Sequence, residues 1–172
     1  MDDWRTTPQE RLELVDGYFR ELPRFTRRHQ FLIGGLRQLF SETRPDGCWA
    51  VTQVGFEVSV ERRIALMPDV VVVNTWSPDD YPVPEQVDLV IEVWSPEDTM
   101  ADRDYRRRTY ASVGIPYFWA VEPDGPVINA YELADGEYVA QTTLSAGTTG
   151  TITAAPAPVT LDPARLGCWL DA

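Results

Sequence analysis

Two acidic residues stand beside strand-like apolar runs, at a spacing that would let their carboxylates act together. Asp69 directly precedes the run Val70–Val73, and Glu92 lies near the end of the run Val87–Val93. Runs rich in β-branched residues are typical of strands covered on both faces. An acid in such a strand is costly to bury unless it is paired or binds a metal. Asp69 and Glu92 are therefore candidate catalytic residues and metal ligands.

A third acid, Glu13, precedes a predicted hairpin turn at Asp16-Gly17. The turn is predicted because both residues tolerate a positive φ and lie between two short apolar segments. Strand alternation then points Glu13 away from the face on which Leu12 and Leu14 are buried. Carboxylates that converge from different strands can hold Mg²⁺ or Mn²⁺, which prefer oxygen ligands and keep several waters. Such a cation can polarise a phosphodiester and lower the pKa of a bound water.

Two predicted helices flank these strands. The range Thr26–Thr43 carries apolar residues at helical spacing, and His29 lies near its start, where a structural histidine is more common than a catalytic one. The range Asp102–Val113 reads as an amphipathic, arginine-rich helix, closed by Gly114 with Pro116 just beyond. Both helices could therefore bring polar side chains towards the acidic strands.

Further strands complete the predicted elements. The alternating range Trp49–Glu61 reads as one strand that pairs with Val70–Val73, and the range 117–121 reads as another. The ranges 127–132 and 137–144 flank a second hairpin turn at Asp135-Gly136. The range 156–163 is predicted to be irregular chain before a short terminal helix.

Size and charge limit the function classes. A chain of 172 residues with 44% hydrophobic content fits one folded domain. No apolar run approaches the length of a membrane span, and the N-terminus lacks a signal-peptide pattern, so we expect a cytoplasmic location. The net charge of −12 argues against broad, nonspecific attraction to nucleic acid. It leaves room for a local basic patch, since arginines cluster along the chain.

A set of residues resembles the Uma-two family of restriction-endonuclease-like proteins, a branch of the PD-(D/E)XK nuclease superfamily. The resemblance covers roughly residues 10–140 of a single predicted domain (1–172), with 145–172 as a C-terminal extension. It rests on Leu12–Gly17, His29-Gln30, Met67-Pro68-Asp69, Ile91-Glu92-Val93, Ser95-Pro96, Asp102, Tyr110, Gly114, Ile115-Pro116, Trp119, Val121 and Pro123.

The resemblance implies an α+β (mixed α/β) fold with a restriction-endonuclease-like core: a central mixed β-sheet flanked by helices, with additional β-hairpins. It also implies a Mg²⁺ (or Mn²⁺) site and hydrolysis of DNA phosphodiester bonds. By position, Asp69 and Glu92 match the family's two acids, and Glu13 matches an acid of its N-terminal segment. His29 and Asp102 are possible accessory residues.

The basic residue of the family pattern is replaced in this chain. The third position of the ExK element is Trp94, and the family's basic position on the following helix, after an aspartate, is Arg106; the chain contains no lysine. A guanidinium stays protonated at any working pH, so Arg106 cannot accept a proton from water. It can still clamp a phosphate and stabilise negative charge.

Two functions remain open at the level of sequence. One is a divalent-metal-dependent DNA endonuclease that acts as a homodimer, because cleavage of both strands of a duplex suits two-fold symmetry. The other is a catalytically silent binding or assembly module that keeps the nuclease fold, which the replaced lysine and the acidic charge favour. A metal titration discriminates between them.

Overall fold

The computed structural model describes residues 11–22, 25–43, 47–75, 77 and 81–167. Short 3₁₀ turns occur at Pro84–Gln86 and Pro163–Gly167. The helices are α1 (Arg27–Thr43) and α2 (Met100–Ser112), and the strands are β1 (Leu12–Val15), β2 (Tyr18–Glu21), β3 (Trp49–Thr52), β4 (Phe56–Ser59), β5 (Ile64–Leu66), β6 (Val70–Val73), β7 (Val87–Val93), β8 (Tyr117–Glu122), β9 (Val127–Ala134), β10 (Glu137–Ser145), β11 (Gly150–Ile152) and β12 (Val159–Leu161).

A six-stranded mixed sheet carries the two candidate acids. Its strand order is β10-β9-β8-β7-β6-β3, and only the β7–β8 pair within it is parallel. Parallel neighbours need a crossover, and α2 supplies it between β7 and β8. The antiparallel register pairs Val70 with Ile91, and Asp69, directly before β6, accepts a hydrogen bond from the Val93 N–H, next to Glu92 on β7. The predicted mixed sheet with helices and hairpins is confirmed.

A second sheet positions Glu13. Its order is β2-β1-β5-β4, and β1 joins β5 through the pair Leu14 and Ala65. The hairpin predicted between β1 and β2 is present, with φ of 46° at Asp16 and 88° at Gly17. Positive φ at both central residues matches the twist of a two-residue hairpin. Glu13 is thereby held on a paired strand of this smaller sheet.

The two faces of β7 pack into different cores. Leu89, Ile91 and Val93 join a core built with α1, whereas Val90 and Trp94 join a core shared with the smaller sheet and α2. Alternate residues therefore face opposite cores, except Val87, which packs with the second set. The register of β6 and β7 shifts between Val72 and Val73, and that irregularity reverses the side on which Val87 lies.

Two predictions about strands were wrong. The range Trp49–Glu61 is not one strand: β3 ends at Thr52, and β4 begins at Phe56 in the other sheet. Gln53 adopts a φ of 52°, which ends the extended run and redirects the chain. The part after Pro156 is not wholly irregular, because β12 pairs with β11.

Both predicted helices are confirmed, with ends set by local hydrogen bonds. The Thr26 hydroxyl accepts from the His29 N–H at the start of α1. At α2 the Thr99 hydroxyl accepts from the Asp102 N–H, while the Asp102 carboxylate accepts from the Thr99 N–H. This capping box starts the helix two residues before the predicted position. No helix in the described ranges is long and apolar enough to span a membrane.

Candidate active site

Asp69 is fixed by one hydrogen bond on each carboxylate oxygen. His29 Nε2, from α1, lies 2.8 Å from Oδ1, and the Val93 N–H donates to Oδ2 at 2.8 Å. The His29 ring in turn stacks on Phe25, with centroids 4.2 Å apart. Asp69 therefore has a fixed orientation, and His29, whose accessory role stays a prediction, lies beside this acid.

Glu92 is held from α2 through a single oxygen. Its Oε1 accepts from the Tyr110 hydroxyl at 2.6 Å and from Arg106 Nη1 at 3.0 Å. Arg106 and Tyr110 are four residues apart on α2 and so lie on one helix face. Among the described residues, none donates a hydrogen bond to Oε2 of Glu92. One oxygen of this carboxylate is thus fixed, and the other has spare lone pairs.

Arg106 joins two sheets by bridging two buried glutamates. Its Nη2 donates to both oxygens of Glu13, at 2.8 and 2.9 Å, and its Nη1 donates to Glu92. Glu13 Oε1 also accepts from the Met67 N–H at 2.9 Å. The exposed fractions are 1% for Glu13, 4% for Asp69, 4% for Glu92 and 7% for Arg106. The positive charge of Arg106, shared between Glu13 and Glu92, compensates part of the cost of burying these two acids.

Burial and neighbouring charge alter the acid–base behaviour of this group. Burial raises the pKa of Glu92 to about 8, opposed by the Arg106 charge and assisted by the Asp69 charge. The two glutamates raise the pKa of Arg106 well above its ordinary value even though burial opposes this. Burial, followed by the charge of Glu92, raises the pKa of Tyr110 well above the ordinary value. Burial therefore favours the protonated form of Glu92, whereas a bound cation would favour its carboxylate form.

A cavity of about 290 Å³ opens over the pair of acids. Asp69 and Glu92 line it together with His29 and Arg106. Its further charged lining residues are Arg11, Arg28, Asp98 and Asp124. Asp69, Glu92, His29 and Arg106 are thus brought together in one concave site.

Asp69 and Glu92 fit a divalent cation that keeps most of its waters. Each carboxylate oxygen has two lone pairs, so Asp69 keeps one per oxygen and Glu92 keeps those of Oε2. Glu13 does not fit as a ligand in this arrangement, because Arg106 and Met67 engage its oxygens. In the described part of the chain, no group of three or more histidine, cysteine, aspartate or glutamate residues is arranged for metal binding. Two carboxylates with water suffice for Mg²⁺ or Mn²⁺.

Asp102 lies apart from this group. Its carboxylate completes the α2 cap with Thr99 and accepts from Arg20 at 2.8 Å. The Thr99 hydroxyl is the main cause that lowers the Asp102 pKa, and Arg20 adds to the effect. Asp102 is not among the residues that line the cavity. The structure therefore gives it a role in helix capping and in joining α2 to β2.

Two residues of the site were missed as functional residues by sequence reasoning. Tyr110 was noticed only within a family pattern, although its position one turn after Arg106 on the same helix was a usable signal. Arg11 was not singled out, and it lines the cavity with its guanidinium carbon 3.4 Å from the centre of the Phe25 ring. The usable signal for Arg11 was its place two residues before Glu13, where an extended chain puts both side chains on one face.

Comparisons with known proteins agree with this architecture. Residues 1–163 match a protein family described as "Uma2: Putative restriction endonuclease". A crystal structure described as "a putative nuclease belonging to DUF820" from Anabaena variabilis ATCC 29413 is similar in fold, with a TM-score of 0.67 and 17% sequence identity over 92% of this chain and 90% of that chain. No curated protein matches the chain. The predicted nuclease-like fold class and family resemblance are confirmed.

Proposed function

The chain belongs to the Uma2 family, and from this premise we propose that it is a divalent-metal-dependent endonuclease that hydrolyses DNA phosphodiester bonds. One observation carries the proposal: Asp69, directly before β6, and Glu92, on the neighbouring strand β7, line the same cavity. Acids buried at the floor of a cavity, with spare lone pairs, are typical of a site that binds a cation.

Asp69 and Glu92 are the residues that would hold Mg²⁺ or Mn²⁺. When bound, such a cation polarises the phosphodiester and lowers the pKa of a water. The chain's own contribution is to orient the two carboxylates. His29 and the Val93 N–H fix Asp69, whereas Tyr110 and Arg106 fix one oxygen of Glu92.

Arg106 contributes positive charge and no proton transfer. Its pKa lies well above the ordinary arginine value, because the charges of Glu92 and Glu13 favour the protonated form. It therefore cannot act as the base that a lysine could be. Since it lines the cavity beside Glu92, it stabilises negative charge that develops on a phosphate there.

A plasmid-nicking assay with Mg²⁺ or Mn²⁺ tests this function. We expect the chain to convert supercoiled plasmid to open circles, and Asp69→Asn and Glu92→Gln to reduce the rate to that of the metal-free control. Glu132→Gln, an exposed acid on β9, is the matched control and should keep the full rate. Cleavage that persists unchanged in both site variants would rule out the assignment.

A silent binding module is the second candidate, and the Arg106 bridge favours it. An internal guanidinium already compensates Glu13 and Glu92, which are the charges that a cation would otherwise neutralise. Melting curves at increasing Mn²⁺ concentration discriminate the two functions, because a ligand that binds only the folded state raises the melting temperature. An unchanged melting temperature together with absent nicking identifies the silent module. A rise that disappears in Asp69→Asn supports the metal site.

A further inference from the structure

We propose that Arg11 binds a backbone phosphate of the DNA strand, next to the phosphodiester that Asp69 and Glu92 face. The proposal rests on the proposed function, since it assigns part of the same cavity to the substrate. Arg11 and the two acids line this cavity of about 290 Å³. A phosphate held by Arg11 would therefore lie in the space that the reacting group enters.

The direction of the Arg11 side chain follows from the β1–β2 hairpin. The Leu22 N–H donates to the Arg11 carbonyl at 2.8 Å, which continues the antiparallel pairing one step beyond Leu12 and Glu21. Residues two apart on an extended chain share a face. Arg11 therefore projects to the same side as Glu13, and its electrostatic partners include Asp69 and Glu13.

Phe25 gives the guanidinium a fixed orientation. The guanidinium carbon of Arg11 lies 3.4 Å from the centre of the Phe25 ring, and His29 stacks on the same ring at 4.2 Å between centroids. Stacking on a ring holds the planar guanidinium in one orientation. Its N–H groups then point outward from its edge, where two of them can bind one phosphate bidentately. A guanidinium fixed in advance loses little further entropy when it binds.

Two further arginines line the cavity. Arg106 pairs with Glu13 and Glu92 inside the protein. Arg28 forms an ion pair with Asp124 at the exposed rim. Arg11 is stacked on the Phe25 ring, and the charges of Asp69 and Glu13 act on its guanidinium. Burial lowers the Arg11 pKa, and a phosphate beside it would favour the charged form again.

Binding of a fluorescein-labelled single-stranded oligodeoxythymidylate of about 10 nucleotides, measured by anisotropy in EDTA, tests the proposal without any cleavage. We expect Arg11→Gln to weaken binding about tenfold and to lower the slope of log affinity against log salt by about 0.7. Arg11→Lys keeps the charge but loses the planar set of N–H donors. It should therefore weaken binding while keeping the wild-type slope of log affinity against log salt. Arg27→Gln, an exposed arginine on the first turn of α1, is the matched control and should bind like the wild type.

Each outcome decides the proposal separately from the function. Wild-type affinity in Arg11→Gln or Arg11→Lys, or equal losses in Arg11→Gln and Arg27→Gln, would overturn the phosphate site. Absence of binding by the wild type would overturn it as well. If Arg11→Gln does not fold, as judged by its melting curve, Arg11→Lys decides. Binding that depends on Arg11 without plasmid nicking would keep the phosphate site and remove the endonuclease. Plasmid nicking with an unchanged KM in Arg11→Gln would keep the endonuclease and remove the phosphate site.

Discussion

Arg106 and Glu92 show how single residues in this site depend on one another. The guanidinium compensates two buried glutamates, and the Tyr110 hydroxyl adds a hydrogen bond to Glu92. Burial nevertheless raises the pKa of Glu92 to about 8. A buried charge that is only partly compensated disfavours the folded state when it ionises. The site therefore has a stability that depends on pH through a residue that is also a candidate ligand.

Glu92→Gln should stabilise the protein increasingly as the pH rises. The folded-state pKa of about 8 lies above the ordinary glutamate value, so in that interval the folded state binds more protons than the unfolded state. The stability that protonated Glu92 contributes is complete at acidic pH and is lost as the pH rises through about 8. Glutamine cannot ionise and can still accept from Arg106 and Tyr110, so it avoids this loss.

Urea unfolding at a series of pH values measures this effect. The difference in unfolding free energy between Glu92→Gln and wild type should grow from acidic pH to about pH 8 and then level off. For Glu132→Gln, on the exposed face of β9, the same difference should stay flat over this range. A constant difference for Glu92→Gln would contradict the raised pKa.

At the scale of elements, α2 is the part that delivers cationic and hydroxyl donors to the acids. Arg106 and Tyr110 occupy successive turns on its buried face. The helix starts at Met100 because Thr99 and Asp102 cap its free N–H groups, and Arg20 fastens the same turn to β2. The start of α2 therefore sets where Arg106 and Tyr110 lie relative to Glu92 on β7.

Thr99→Ala should weaken the start of α2. Loss of an N-cap threonine costs about 1 kcal/mol, and the change also removes the main group that lowers the Asp102 pKa. We expect a lower unfolding free energy in urea and a higher Asp102 pKa by NMR titration of its carboxyl carbon. Ser41→Ala, whose exposed hydroxyl donates to the Arg37 carbonyl within α1, should change stability by less than about 0.5 kcal/mol. Equal effects in both variants would show that the cap is unimportant.

At the scale of the whole molecule, the last described segment belongs to the main core. Ile152, Val159 and Leu166 pack with residues of α1 and of the six-stranded sheet. The Leu166 carbonyl lies so close to Gly35 on α1 that a β-carbon at Gly35 would overlap with it. The final 3₁₀ turn and α1 therefore approach each other only because position 35 has no side chain.

Gly35→Ala should destabilise the protein, whereas the neighbouring Gly34→Ala should not. A β-carbon at position 35 would meet backbone atoms of Leu166, and overpacking of this kind typically costs about 1–3 kcal/mol. At position 34 nothing lies within 4 Å of the added atom, so alanine should gain about 0.5–1 kcal/mol from its better helix propensity. Urea unfolding of the two variants gives both signs. If both variants changed the unfolding free energy in the same direction, this would contradict the close approach of α1 and the 3₁₀ turn Pro163–Gly167.

The sequence alone determined the elements whose signals are local. The Asp16-Gly17 turn follows from residues that tolerate positive φ, and α1 follows from apolar spacing. The central position of Val70–Val73 and Val87–Val93 follows from their continuous apolarity. These features depend on neighbours in the chain, so the family resemblance and the fold class could also be recognised from the sequence. The endonuclease activity, the metal, DNA and the homodimer stay predictions.

Only the tertiary structure decided which groups meet. It showed that Arg106 pairs with Glu13 across 93 positions of the chain and that Tyr110 holds Glu92. It also assigned Asp102 to a helix cap, broke the range Trp49–Glu61 between two sheets, and placed Arg11 on the cavity wall. Such contacts arise from the packing of distant elements, where burial and long-range geometry fix partners that local propensity does not encode.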